Sequence, residues 1–361
     1  MRNDETHSLE KLIVGIFILG SFLGVFPLPD LAMAKGPVVS EVPQEIPRGQ
    51  AKRLFIVGYQ GSVIVTAGKS DNVSVKALKY GDGEDSAVTA SFLNQFAVRA
   101  VNSGDTVEIR AFPAGSNTEW SRWVQGRHAP EVKLEIVAPP GMSLEIFWTR
   151  GDIKVAQWKA PVFITNQDGH ITVENDSSDL TARTMFGSLK VDNIKGNVSI
   201  ENFASQLFIT DITGHARVRT FSGDTHLKKI VGPTVISSQK GAVTTVDTLG
   251  GMDIQSGVAP FHILDHKGSL IGHSDGGSVS ANIKGPVDVR LISLSGPLTV
   301  SVSHESSASV NLSTKGQLNA PKDLEKKSGP DAKIISGQLS GNQPGHLKLS
   351  SDTGDLNLKV L

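Results

Sequence analysis

The chain contains no cysteine, which excludes a disulfide framework, a thiolate metal site, a thiol nucleophile and a Cys-acylated lipid anchor. It also lacks an excess of either charge: 35 Lys and Arg stand against 36 Asp and Glu, a formal net charge of -1. No global field therefore draws it to nucleic acid or to an anionic membrane, and a charged partner must be met locally. Long apolar runs are nearly missing too. The run from Leu12 to Phe26 is short for a membrane span, and nothing after it approaches the roughly 18 apolar residues a span requires.

That single run is followed by Pro27 and Pro29 and then by Ala32-Met33-Ala34, the small-x-small pattern a signal peptidase accepts. Residues 1–34 are expected to be a secretory signal cleaved after Ala34, with everything beyond residue 35 soluble outside the cytoplasm. Arg2 and Lys11 are outnumbered by Asp4, Glu5 and Glu10, so retention as an anchor is the alternative. Residues 35–50 are expected to be a linker.

A nine-residue period runs through the middle of the chain. Steps of nine from Gly151 meet Ala160, Gly169, Ser178, Gly187, Gly196, Ser205, Gly214, Gly223, Gly232, Gly241 and Gly250. With 37 glycines in 361 residues, chance would place about one glycine in twelve such positions where nine occur. Two and four residues after each small residue the side chains are mostly apolar, as in Leu189/Val191, Val198/Ile200 and Leu207/Ile209. The residues between are mostly polar, among them Lys154, Thr172, Lys190, Ser199, Arg217 and His226. Each unit therefore reads as one short strand with an inner and an outer face. The seventh position, with Trp158, Met185, Ile194, Phe203, Ile212, Phe221 and Ile230, is expected to point inward from the turn.

Alternate units differ in their turns, so the structural repeat is 18 residues and two strands per coil are expected, each pairing in parallel with its counterpart one coil away. Asn175, Asn193 and Asp211 fall in one turn column, and Asn166, Thr184, Asn202, Thr220 and Ser238 in the other. These polar columns are read as side-chain ladders that satisfy turn backbone groups. The unit persists beyond Gly250 as far as Gly354-Asp-Leu-Asn-Leu. The fold class expected is all-β: a parallel β-solenoid over 151–361, with a charged exposed loop near 320–333 and an N-terminal antiparallel β cap over 51–150.

The stretch Val132-Lys-Leu-Glu-Ile-Val-Ala-Pro-Pro-Gly-Met-Ser-Leu-Glu-Ile, followed by Gly151-Asp-Ile-Lys-Val and the Gly-x-Val/Leu units, resembles the bacterial putative-adhesin family of unknown function, whose relatives include adhesin heads with a GIN motif. The resemblance covers roughly residues 50 to 361. It implies an exported β-solenoid and brings no catalytic residue set with it.

Candidate chemistry is sparse. Calcium β-rolls need Gly-Gly-x-Gly-x-Asp turns coil after coil, whereas Gly250-Gly251 and Gly276-Gly277 are isolated and Asp211 and Asp247 do not recur in every coil. Glu174 and Asp192 lie one coil apart in one column beside Lys154 and Lys190, which reads as surface ion pairing. His262, Asp265, His266, His273 and Asp275 are the densest cluster of possible metal ligands, but Phe261-His-Ile-Leu reads as strand, where residues four apart do not converge as on a helix. The histidines are read as exposed loop residues, so no catalytic residue, cofactor site or metal ligand is assigned. The segment 113–130 gathers Trp120, Arg122, Trp123, Arg127 and His128, either as a lid over the open end of the solenoid or as a recognition loop. The function expected is that of an exported, non-enzymatic, adhesin-like protein. Its outward columns (Lys154, Thr172, Lys190, His226) would meet a protein or glycan of the cell envelope, with no nucleic acid and no stable membrane insertion. A carbohydrate-active enzyme on a β-helix scaffold is the alternative; it would need two converging carboxylates.

Overall fold

The computed structural model describes residues 38–80, 93, 96–113, 131–329, 332–341 and 344–361. The expected signal segment and the cluster of Trp120, Arg122, Trp123 and Arg127 lie outside the described residues. Every element among the described residues is a strand, and the strands join in one 28-stranded sheet. The chain is all-β.

Alternation makes the strands. In Val198–Asn202, Val198, Ile200 and Asn202 are buried while Ser199 and Glu201 face outward, because successive side chains on a strand point to opposite faces. Segments 162–166, 180–184, 198–202, 216–220, 234–238 and 252–256 form one parallel series, each residue pairing with its counterpart 18 positions on. Segments 171–173, 189–191, 207–209, 225–227, 243–245 and 261–263 form a second. One strand from each series makes a tier, and tiers follow one another at about 4.8 Å. Between the two series the core is aliphatic: Ile164, Ala182, Ile200, Val218, Ile236 and Ile254 stand in one buried column.

The small residues of the nine-residue period occupy the corners of the tiers. A Cβ on Gly187 or Gly214 would run into the carbonyl oxygen of Gly169 or Gly196 in the preceding tier, and both residues have positive φ, +109° and +149°. Close backbone approach and a left-handed conformation together demand glycine there. Register is pinned by the residue after the corner. The Asp152 carboxylate accepts the backbone N–H of His170 at 2.9 Å, Asp179 that of Asn197 at 2.8 Å, and Asp224 that of Ala242 at 3.1 Å.

The two corners are not equivalent, and this corrects one expectation. At one corner Asn175, Asn193, Asp211, Lys229, Asp247 and Asp265 adopt positive φ near +55°. That turn shifts the alternation by one residue and sends Asp176, Ile194, Ile212 and Ile230 inward. At the other corner the alternation runs on unbroken: Thr184, Asn202 and Thr220 are buried, so Met185, Phe203 and Phe221 point to solvent, 42%, 46% and 43% exposed. They were expected inside.

The N-terminal region also differs from the expected antiparallel cap. Arg53–Ala67 is itself a tier, paired in parallel with 106–111 and 132–138 on one side and with 143–150 and 153–156 on the other. Gly61 lies in the corner column directly before Gly151, but the insertion between them hides the beat in the sequence. Antiparallel pairing is confined to the outside, where Asn72–Tyr80 covers Glu131–Ala138 and Phe96–Asn102 covers Thr106–Pro113. The expected linker contains the strand Val38–Pro47, which pairs antiparallel with Asn72–Tyr80.

The other end repeats the device. His346–Ser351 lies between Asp288–Ser293 and Ala308–Thr314, and Leu356–Val360 pairs with Leu298–Val302 and Leu318–Asn319. The outer tier is covered by antiparallel Lys333–Leu339 and then Glu325–Ser328, so the expected charged loop near 320–333 contributes a strand instead. At both ends a tier threaded out of chain order is followed by antiparallel strands, which shields the open sheet edge.

Candidate functional site

The unbroken alternation at the second corner builds a groove of about 980 Å³ that runs along the tiers. Its floor is the buried polar column. Asn202 Nδ2 donates to Thr220 Oγ1 at 2.9 Å and to the Ser205 carbonyl at 2.8 Å, and Thr220 Oγ1 donates to the Ser222 carbonyl at 2.9 Å. Ser238, Ser256 and Ser274 close the same turn three residues on. The ladder expected from the sequence is thus present, and it fixes the corner by satisfying turn carbonyls that would otherwise be buried unpaired.

One wall is apolar. The rings of Phe203 and Phe221 stack at 5.1 Å with an interplanar angle of 5°, and Phe186 meets Phe203 edge-on at 6.2 Å. Lys240 Nζ sits 5.3 Å from the Phe221 ring centroid, close enough for cation–π attraction. The opposite wall is polar, formed by the outward column Arg183, Glu201, Arg219, Ser237 and Gln255. Arg183 Nε donates to Glu201 Oε2 at 2.9 Å, and its guanidinium lies 5.5 Å from the Phe163 centroid. At the N-terminal end the groove meets Phe147 and Trp148. The Trp148 ring fits against Gly58, where any Cβ would strike it, and its Nε1 donates to the Gly61 carbonyl at 3.1 Å.

A second, smaller groove of about 450 Å³ follows the left-handed corner and holds Asp211 and Asp247. Those carboxylates stand two tiers apart, about 9.6 Å along the stack. Lys229 occupies the tier between them and pairs with Asp211 at 3.5 Å.

The other residues picked out from the sequence fall as follows. Lys154, Thr172, Lys190 and His226 share one outward column of the second series, interrupted by Phe208, whose ring stacks on His226 at 5.4 Å. Glu174 bonds both Lys190 at 3.1 Å and Lys154 at 3.4 Å. Partial burial pushes the Glu174 carboxyl up, but the two ammonium groups outweigh that and hold it below its ordinary value.

The clustered histidines do not lie on loops, in keeping with the strand read from Phe261-His-Ile-Leu, whereas Asp275 sits in the turn after Ser274. His262, Asp265 and His266 lie on the strand Phe261–Lys267, and His273 lies on Ser269–Ser274 in the other series. His266 is buried; its Nδ1 is 2.9 Å from Thr248 Oγ1 and its Nε2 3.1 Å from the Ser269 carbonyl. Burial lowers its pKa, with the two hydrogen bonds opposing. Among the described residues no group of three His, Asp or Glu is placed to hold a metal ion.

The outward direction of the aromatic row departs from the sequence expectation, which points the seventh position inward at both kinds of turn although the turns themselves alternate. The signal lay in the 18-residue alternation, where the left-handed corner carries Ile194, Ile212 and Ile230 and the other carries Met185, Phe203 and Phe221.

No family model and no curated protein matches the chain. Two solved structures are similar over most of their length. One is described as a putative cell adhesion protein from Clostridium sporogenes, 8% identical with a TM-score of 0.22, covering 89% of this chain and 99% of that one. The other is described as a putative adhesin from Bacteroides fragilis, 10% identical with a TM-score of 0.21, covering 88% of this chain and 97% of that one.

Proposed function

We propose that this chain is an exported, non-enzymatic β-solenoid that displays the phenylalanine-lined corner groove to a protein or glycan of the cell envelope. The observation that carries the reading is the row Met185, Phe203 and Phe221, held out to solvent tier after tier. Exposed apolar surface bordered by polar residues marks contact sites, because it costs free energy unless a partner covers it. The 18-residue parallel register supports the solenoid, since stacking of identical tiers yields a long, rigid face. Export rests on the signal-like segment before Lys35; among the described residues no helix is long and apolar enough to cross a membrane.

The enzymatic alternative draws on Asp211 and Asp247 in the smaller groove, whose spacing would suit an inverting pair. Lys229 stands between them, where the attacking water and sugar would have to sit. In the larger groove Glu201 is the one acid among the described lining residues, and it is paired with Arg183.

The test is the double variant Phe203→Ser/Phe221→Ser, assayed for retention on envelope fractions. Both side chains are exposed, so the melting temperature should hold while retention falls. Unchanged retention would overturn the reading.

A further inference from the structure

We infer that the partner of the corner groove is a linear anionic glycan, laid along the stack with about one sugar per tier. This deepens the function proposed above and rests on it. Three features of the groove select the occupant.

The first is its unused polar groups. The side chains of Gln167, Gln239, Gln255 and Arg219 line or border the groove, are exposed, and make no hydrogen bond within the described residues. Planar amide and guanidinium groups present paired donors and acceptors at fixed geometry, which suits the adjacent hydroxyls of a sugar ring. Stacked Phe203 and Phe221 offer the apolar ridge against which the C–H face of such a ring can rest. A simple acyl chain would leave the amides without partners.

The second is backbone pairing. Strands on the groove side are bonded to a neighbour on both sides, as 198–202 is to 180–184 and 216–220. An extended peptide therefore has no free edge to join, and strand addition is the usual way an extended peptide binds a sheet. Its side chains would also recur on one face about every 6.7 Å, out of step with tiers about 4.8 Å apart. An equatorially linked pyranose chain is an extended ribbon that advances by a little more than one strand spacing per residue, with alternate residues turned over, so that equivalent groups return at every second tier.

The third is charge. Arg183 is neutralised by Glu201 at 2.9 Å, but among the described residues neither Arg219 nor Lys240 forms an ion pair, and Lys240 Nζ lies 5.3 Å from the Phe221 ring centroid. Two cations without a paired acid thus stand near Phe221 at the C-terminal end of the row, Arg219 in the groove lining and Lys240 beside the ring, where a carboxylate on the sugar would find positive charge.

Binding is measured by calorimetry on the purified protein. The probes are a β-1,4-linked uronic acid hexamer, a β-1,4-linked glucose hexamer and a decapeptide of alternating Glu and Leu. The uronate hexamer should bind best and lose affinity as salt rises. Arg219→Gln, an exposed change, should weaken it about tenfold, the worth of one charge-assisted contact. Equal binding of the glucose hexamer, indifference to Arg219→Gln, or binding of the peptide alone would each overturn the glycan inference. The broader proposal would survive those results if Phe203→Ser/Phe221→Ser still lost retention on envelope fractions, and would fall only if it did not.

Discussion

Asp176 stands at a buried position that the next three tiers fill with Ile194, Ile212 and Ile230. It occupies the inward position of the left-handed corner, 2% exposed, between Trp158 in one tier and Ile194 in the next. One carboxylate oxygen accepts the Trp158 backbone N–H at 2.7 Å, while Oδ2 has no partner among the described residues. Burial raises its pKa from 3.8 to about 6, with the Trp158 bond opposing. A folded-state value above the unfolded one means that the native protein holds the proton more tightly. Stability from this group is fully present below about pH 4 and is lost as pH rises through about 6. The difference between 3.8 and about 6 corresponds to about 3 kcal/mol. Asp176→Asn keeps an acceptor for Trp158 and removes the charge. Urea unfolding of both proteins between pH 4.5 and 7.5 should give a stability difference that grows in favour of the variant by about 2 kcal/mol, the rest of the total having developed below pH 4.5, and that levels off above pH 7. Comparing the two proteins cancels the opposite trend from Glu174, whose depressed pKa costs stability only in more acidic solution. A difference that stays flat across this range would refute the assignment of a buried, half-satisfied carboxyl.

Two further outcomes test the tier geometry. Ile200→Asp, at a position 1% exposed, should cost several kcal/mol whereas Ser199→Asp on the outer face stays within about 0.5 kcal/mol; similar melting temperatures would overturn the strand register. Gly214→Ala, at φ +149° against the Gly196 carbonyl, should cost about 2 kcal/mol or more. Gly141→Ala, where the added carbon meets nothing within 4 Å, should be nearly silent in the same thermal melt.

The regular part of this fold is legible from sequence because glycine is required wherever one tier's backbone touches the next. Gly187 and Gly214 could be placed at corners before their contacts were seen. So could the floor of the groove, since Asn202 and Thr220 recur at a turn where bare carbonyls need donors. The direction of Phe203 was not legible, because it depends on whether the preceding turn contains a left-handed residue. Asn, Asp and even Lys229 fill that conformation here, and lysine gives no warning of it. The tier at Arg53–Ala67 was hidden for a different reason: its neighbour in space, Ser143–Arg150, is far along the chain, and a period search sees only neighbours in sequence.

The closures at the two ends have a consequence for how such a protein can change its length. Both are woven from strands that leave chain order and return, as 346–360 does between 288–302 and 309–319, so neither end can be extended by simply appending a repeat. The stretch from 162 to 263 is free of such interlacing, and each 18-residue unit there contacts only the units before and after it. Tandem duplication of one unit in that stretch adds a tier about 4.8 Å tall and leaves both closures as they were. Gain or loss of whole 18-residue units would thus act as a ruler, lengthening or shortening the groove by whole steps while the ends keep their shape.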